Sequence, residues 1–201
     1  MAPRSRADPR MEPIRVRPGR PEDLGEVVAI YNHYVAHTAV TFETSPVCPG
    51  DRSAWLDEHL RGGPHRLVVA EDPSGRRIGW ATTSPFRQRA AYATTVEASV
   101  YCEPTSVGRG VGSSLYRLLF RSIEAEDLER IVAGVTLPNP ASLALHQKFG
   151  FRPVGVFTRV GRKLGRYWDV AWLERPLHLP EDGLGSVGAT AAHSIDTSER
   201  M

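Results

Sequence analysis

The chain has 201 residues, 41% hydrophobic and 24% charged, with 25 Lys+Arg against 23 Asp+Glu and a formal net charge of +2. That length favours one α/β domain with a sizeable core, and the composition is that of an ordinary globular protein. Acids and bases are interspersed, with no basic run of the kind that tracks a phosphate backbone, so no nucleic-acid partner is expected; the weak positive balance suits a small anionic ligand equally well.

Residues 1–12 read as a disordered leader without the apolar segment of a secretory signal. Met11 reads as an alternative start, because the patterned sequence begins just after it. Ile14-Arg-Val16 is a short alternating strand. Pro21 and two acids then stand where a helix N-terminus wants them. Leu24, Val27, Val28, Tyr31, Tyr34 and Val35 repeat at helical spacing, which predicts a helix over 22–37. After a loop with Pro46, Pro49 and Gly50, residues 51–60 predict a second helix, stopped by Gly62-Gly63-Pro64. Leu67–Ala70 is a compact apolar strand, Asp72–Gly75 a turn, and 77–84 the returning strand of a hairpin. Residues 94–101 are β-rich. Gly108–Gly112 is glycine-rich, and Leu115, Leu118, Leu119 and Ile123 mark an amphipathic helix after it. A strand at 131–135 and a helix at 140–149, closed by Gly150, follow. Strands at 151–160 and 167–173 complete the pattern. Residues 177–201 read as a disordered tail, leaving a single domain over 13–176. No apolar stretch approaches the ~18 residues of a membrane span. Cys48 and Cys102 lack metal-ligand spacing, so neither a zinc or other metal site nor a disulfide framework is expected, which fits a reducing cytoplasmic setting.

The first chemical signal is Val107-Gly-Arg-Gly-Val-Gly112. Glycines at alternate positions let a loop expose successive backbone N–H groups. With the positive end of a helix they suit a pyrophosphate; a tight turn is the plain alternative. A P-loop is out, because the helix opens Gly112-Ser-Ser rather than Gly-Lys-Ser/Thr. A dinucleotide fold is disfavoured because Glu129, near the required spacing, precedes its strand and the earlier strands form a meander.

Taken in order, this loop, Asn139-Pro-Ala-Ser142 and Leu145-His-Gln-Lys-Phe-Gly-Phe151 resemble the GNAT acetyltransferase superfamily. Ile30-Tyr-Asn-His-Tyr34, Thr41-Phe-Glu43, Thr95-Val-Glu-Ala-Ser-Val-Tyr101 and Gly165-Arg-Tyr-Trp-Asp-Val170 narrow the resemblance to the phosphinothricin / methionine sulfoximine N-acetyltransferase group. It covers about residues 14–176. It implies an α/β (α+β) fold: a mixed, mostly antiparallel twisted sheet of six to seven strands, split by the acetyl-CoA site and flanked by about four helices. It also implies that the backbone of Val100, Tyr101 and Cys102 pairs with the pantetheine arm, that Gly108, Arg109, Gly110, Val111, Gly112 and Ser113 hold the pyrophosphate, and that Asn139 and Lys148 reach the cofactor. Val107 departs from the Gln or Arg usual there; its backbone contact is expected to survive. Asn139 reads equally as a turn or cap residue before Pro140.

Glu97 sits in an otherwise Val/Thr/Ser strand. A carboxylate there costs energy without partners or water, and reads either as an outward-facing residue or as a general base for a substrate ammonium. The resemblance places the family's base at this position. His146 stands where most of the superfamily has a Tyr acid, and the subgroup has His; it reads as an acid or as a polar group orienting the amine, against a satisfied core histidine. Phe86-Arg-Gln-Arg-Ala-Ala-Tyr92 places two arginines where they can grip a carboxylate or phosphinate, or be a solvated loop. The resemblance implies substrate contacts from Arg87, Gln88, Arg89, Tyr92, Glu97, Ala98 and Ser99. Phe42 and Trp168 read as pocket walls or core aromatics. The expected reaction is direct acetyl transfer to a small amino-acid-like amine, with a backbone N–H near Val100 as oxyanion donor. A peptide N-terminus, another amine, or a non-catalytic acyl-CoA sensor remain as alternatives. A covalent acyl-Cys102 lacks a His or Asn partner. A homodimer is expected by resemblance.

Overall fold

The structure, a computed structural model, describes residues 14–178. The leader, Met11 and all of the tail beyond residue 178 lie outside the described residues. The elements run β1 (Arg15–Pro18), α1 (Leu24–His37), α2 (Ser53–Leu60), β2 (Leu67–Glu71), β3 (Arg77–Pro85), β4 (Thr95–Cys102), α3 (Val111–Ser122), β5 (Arg130–Thr136), α4 (Pro140–Lys148), β6 (Arg152–Lys163) and β7 (Arg166–Pro176). They build a 7-stranded sheet in the order β1-β2-β3-β4-β5-β7-β6. Every neighbouring pair is antiparallel except β4 and β5.

Period-2 alternation sorts the strand residues onto two covered faces. Val68, Ala81, Val96 and Ala98 pack with Val111, Leu115, Tyr116 and Leu119 of α3. Leu67, Val69 and Trp80 pack with Val27 and Ile30 of α1 and Leu56 of α2. The two helical layers therefore bury opposite sides of one sheet, and β2, apolar at four of its five residues, is buried throughout.

α1 is tied down by charge as well as by apolar contact. Buried Asp23 accepts two hydrogen bonds from Arg17, at 2.7 and 2.8 Å, and one from Arg77 at 2.7 Å. Glu71 also pairs with Arg17. Two cations and two anions satisfy one another where β1, β2, β3 and the start of α1 meet, so none of these buried charges stands alone. At the other end of the domain Leu177 is buried in the core, and its N–H donates to Glu129 O at 3.1 Å.

Candidate active site

β4 and β5 pair only at Thr95↔Arg130, Val96↔Ile131 and Glu97↔Val132. Beyond Glu97, β4 keeps β3 on one side and, among the described residues, has no strand on the other, while β5 pairs with β7 along its whole length. The sheet splits there. Ala98, Ser99, Val100 and Tyr101 line one side of the cleft, Gly134, Val135 and Thr136 the other, with Tyr116, Asn139, Ser142 and His146 also on its walls. The Cys102 carbonyl already accepts a hydrogen bond from the Tyr34 hydroxyl. The side chain of Ala98 belongs to the α3 core, so what Ala98 offers the cleft is its backbone.

β4 leads into the glycine loop. Gly108 and Gly110 have φ of 82° and 81°, the left-handed region where a Cβ is penalised. No side chain caps α3, so the N–H groups of Val111, Gly112 and Ser113 lack intrahelical acceptors. Lys148 Nζ donates to Ser113 Oγ at 3.2 Å, which brings its charge to that helix end. Arg109 is exposed beside them. Val107 is 55% exposed, and its N–H points at Pro104 O at 3.4 Å. Asn139 Oδ1 caps α4 by accepting from the Ser142 N–H at 3.1 Å, and the residue lines the cleft. An open strand edge for amides, together with an uncapped helix start and a lysine for phosphates, fits acetyl-CoA.

Glu97 lies on the face under α1 and α2, opposite Ser84 and two residues from Ser99. Burial raises its carboxyl above the ordinary range, and the Arg87 charge draws it back. Pro85, Phe86, Arg87, Gln88, Arg89 and Tyr92 surround one hollow beside it. Arg87 lies over the Phe86 ring, 4.6 Å from its centre, and Phe86 meets Tyr92 edge-on. Among the described residues neither Arg87 nor Arg89 forms an ion pair. Arg87, Gln88, Arg89 and Tyr92 thus share one hollow, while Ser99 lines the cleft and Ala98 turns its side chain into the α3 core.

His146 is on the other side. It is 3% exposed, among the α3 and α4 side chains. Nδ1 lies 2.7 Å from Ser142 O, which can only accept, so Nδ1 carries the proton. Burial holds the ring's pKa down, so the ring is neutral. Nε2 therefore accepts from the Tyr116 hydroxyl at 2.9 Å. With its single N–H given to a carbonyl, the imidazole holds the Tyr116 hydroxyl at the cleft wall. Sequence reasoning had Tyr116 nowhere in the site; its signal was a phenol on the otherwise apolar face of α3.

Phe42 and Trp168 sit apart from the hollow that Arg87 lines. The Phe42 ring lies where a Cβ on Gly161 would be, so glycine there lets the loop after α1 close onto β6. Lys163 Nζ fastens the same loop through Thr41 O at 2.7 Å. Trp168 donates to Lys163 O at 2.9 Å within the β6–β7 hairpin. Cys102 is partly buried, and its thiol is pushed up to about 11. It stays protonated at neutral pH, which disfavours an acyl-cysteine. A second cavity, lined by Tyr31, Arg52, Trp55, Trp80, Ser84 and Ser99 among others, lies beneath α1 and α2 on the Glu97 face. Of its lining residues the sequence singles out Ser99 as a substrate contact and Tyr101 as a cofactor contact.

The Acetyltransferase (GNAT) family model matches residues 28–151. The chain is 54% identical over 165 residues to the phosphinothricin N-acetyltransferase of Streptomyces coelicolor, covering 82% of this chain and 96% of that one. It is 34% identical over 152 residues to the L-methionine sulfoximine/L-methionine sulfone acetyltransferase of Pseudomonas aeruginosa, covering 76% and 88%. Among solved structures, the GNAT superfamily phosphinothricin acetyltransferase of Sinorhizobium meliloti in complex with AcCoA superposes with a TM-score of 0.77 at 31% identity, covering 85% of this chain and 95% of that chain.

Proposed function

Because the chain belongs to the Acetyltransferase (GNAT) family, we propose that it transfers the acetyl group of acetyl-CoA to the amino group of a small amino-acid-like substrate, such as phosphinothricin or methionine sulfone. The observation that carries this reading is Glu97, a half-buried carboxylate at the point where the sheet splits, with Arg87 and Arg89, which form no ion pair among the described residues, in the hollow beside it.

Acetyl-CoA supplies the activated acetyl thioester. Gly108–Ser113 and Lys148 would hold its phosphates, and the free edge of β4 at Val100, with Asn139, would hold its amide arm. Arg87, Gln88, Arg89 and Tyr92 hold the acidic groups of the acceptor. An amino-acid ammonium is unreactive until it loses a proton. Glu97, its carboxyl raised by burial and so made a better base, takes that proton. The Val100 N–H stabilises the oxygen on which charge develops. His146 orients the Tyr116 hydroxyl at the cleft wall. With Cys102 protonated, the amine attacks the acetyl carbonyl directly; the C–N bond forms, the thioester C–S bond breaks, and CoA leaves as a thiolate that takes a proton from water.

A homodimer is proposed as well. β6 is one of the two outer strands of the sheet and exposes Val154, Val156, Phe157 and Val160, more apolar surface than a solvated edge strand usually keeps. A reducing, cytoplasmic setting is proposed from the two free cysteines. Among the described residues no helix is long and apolar enough to cross a membrane.

The test is thiol release from acetyl-CoA by the purified protein with phosphinothricin, methionine sulfoximine, methionine sulfone, common amino acids and a polyamine. Fast release with the first three and little with the polyamine is expected, since two unpaired arginines repel a polycation. Release with no small amine would overturn the reading.

A further inference from the structure

The cavity beneath α1 and α2 has a volume of about 150 Å³. A space of that size takes one benzene-sized group, so it admits one end of a small molecule and no folded peptide. Its floor includes the cross-strand pairs Trp80↔Tyr101 and Thr82↔Ser99, and the next pair along is Ser84↔Glu97. Directly opposed residues on antiparallel strands point to the same face with Cβ atoms about 4.5–5.5 Å apart. Ser84 and Glu97 therefore project from the same face as cross-strand neighbours.

What that hydroxyl can do is fixed by His59, which is buried. His59 Nδ1 lies 2.7 Å from Trp55 O, a group that only accepts, so Nδ1 carries the proton. Burial outweighs the nearby carbonyls of Trp55 and Thr83 and the Glu58 charge, with His65 the other titratable neighbour, and keeps the ring neutral. Its Nε2 then offers only a lone pair to Ser84 Oγ at 3.2 Å. The Ser84 proton is spent on His59. The Thr82 proton is likewise spent, on Arg66 O at 2.8 Å. Both hydroxyls turn only lone pairs to the cavity.

A primary ammonium brings three N–H groups. One proton passes to Glu97, and the two N–H groups that remain must be held so that the nitrogen lone pair faces the acetyl carbonyl. We propose that Ser84 accepts one of these N–H groups, and that His59 is a positioning residue that keeps Ser84 an acceptor. The inference rests on the acetyl-transfer reading above and specifies the acceptor as a primary amine seated between Glu97 and Ser84.

The experiment measures kcat and KM for methionine sulfone and for acetyl-CoA, by thiol release, in Ser84→Ala, His59→Leu, the double variant and His59→Gln, each checked for folding by thermal melting. Loss of one hydrogen bond to the amine lowers kcat/KM for methionine sulfone about tenfold in Ser84→Ala, with the KM for acetyl-CoA unchanged. His59→Leu gives the same loss, and the double variant is no worse than either single one, because His59 acts through Ser84. His59→Gln, whose amide oxygen accepts, recovers most of the activity. If His59→Leu does not fold, Ser84→Ala and His59→Gln decide the matter. Wild-type turnover with an unaffected Ser84→Ala, or losses that multiply in the double variant, overturns this inference alone. No turnover by the wild type with any amine overturns the acetyl-transfer reading and this inference with it.

Discussion

Removing one oxygen atom tests the assignment of the buried histidine. Tyr116→Phe keeps the ring and its contacts with Phe120, Phe149 and Phe151. It deletes the hydroxyl that donates to His146 Nε2 at 2.9 Å. Because Nδ1–H is already given to Ser142 O, the imidazole cannot turn over to hide the lone pair. Nε2 becomes a buried acceptor with no partner, in a side chain only 3% exposed. An orphaned group of this kind costs about 1–3 kcal/mol. For a domain of this size each kcal/mol moves Tm by roughly 2–4 °C, so Tm should fall by about 2–12 °C. Calorimetry or guanidinium unfolding measures it. The decisive control repeats the change in a His146→Leu background. There the tyrosine hydroxyl is itself the orphan, and Tyr116→Phe should be neutral or stabilising, since replacing both partners of a buried bond by apolar groups restores the balance. Equal cost in the two backgrounds would show that the hydroxyl does not serve Nε2, and the tautomer argument would fail with it.

Other outcomes follow from the same geometry. Glu97→Gln should lower kcat/KM for the amine about 10²–10⁴-fold at neutral pH, and activity within tenfold of wild type would remove Glu97 as the base. The wild-type rate should fall as pH drops through the raised Glu97 pKa, a limb the Gln variant should lack. Arg89→Ala should raise KM for an acidic acceptor more than it lowers kcat; an unchanged KM would mean that the hollow at 85–92 does not bind substrate. Burial depresses both His59 and His146. Groups lowered in the folded state contribute stability above the unfolded histidine value near 6.5 and lose it as pH falls through the folded values, so Tm should decline on acidification below about 6.5. A flat Tm down to pH 5 would contradict the buried neutral assignment.

Much of the fold was legible because its signals are local. The helix-spaced apolar residues of α1 and α3, the hairpin turn at Asp72–Gly75 and the break at Gly62–Pro64 each stand where the sequence puts them. The loop 86–92 was legible for the same reason, since its four substrate candidates are neighbours in the chain. What stayed hidden depends on pairing across the sheet. Nothing near Ser84 announces that its strand will lie against Glu97, or that a histidine 25 residues away will take its proton. Tyr116 and His146 are 30 residues apart and meet only because α3 and α4 share a face. The alternation that makes Glu97 conspicuous also places it on the opposite face from His146, a consequence of register that no motif states. Val107 shows the reverse limit: a departure visible in the sequence whose N–H the fold directs at Pro104 O.

The split in the sheet bears on how long the protein lasts. Past Glu97, β4 runs through the middle of a seven-stranded sheet with one flank unpaired, an edge strand in an interior position. Amides on such a flank exchange and open more readily than those of a closed ladder. Whatever fills the gap adds stability by mass action, about 2.7 kcal/mol at a hundredfold excess over its Kd, and adds it along this strand in particular. If acetyl-CoA fills this gap, its addition should slow amide exchange along β4 past Glu97 and slow proteolysis of the purified protein; unchanged exchange there would show that it binds elsewhere.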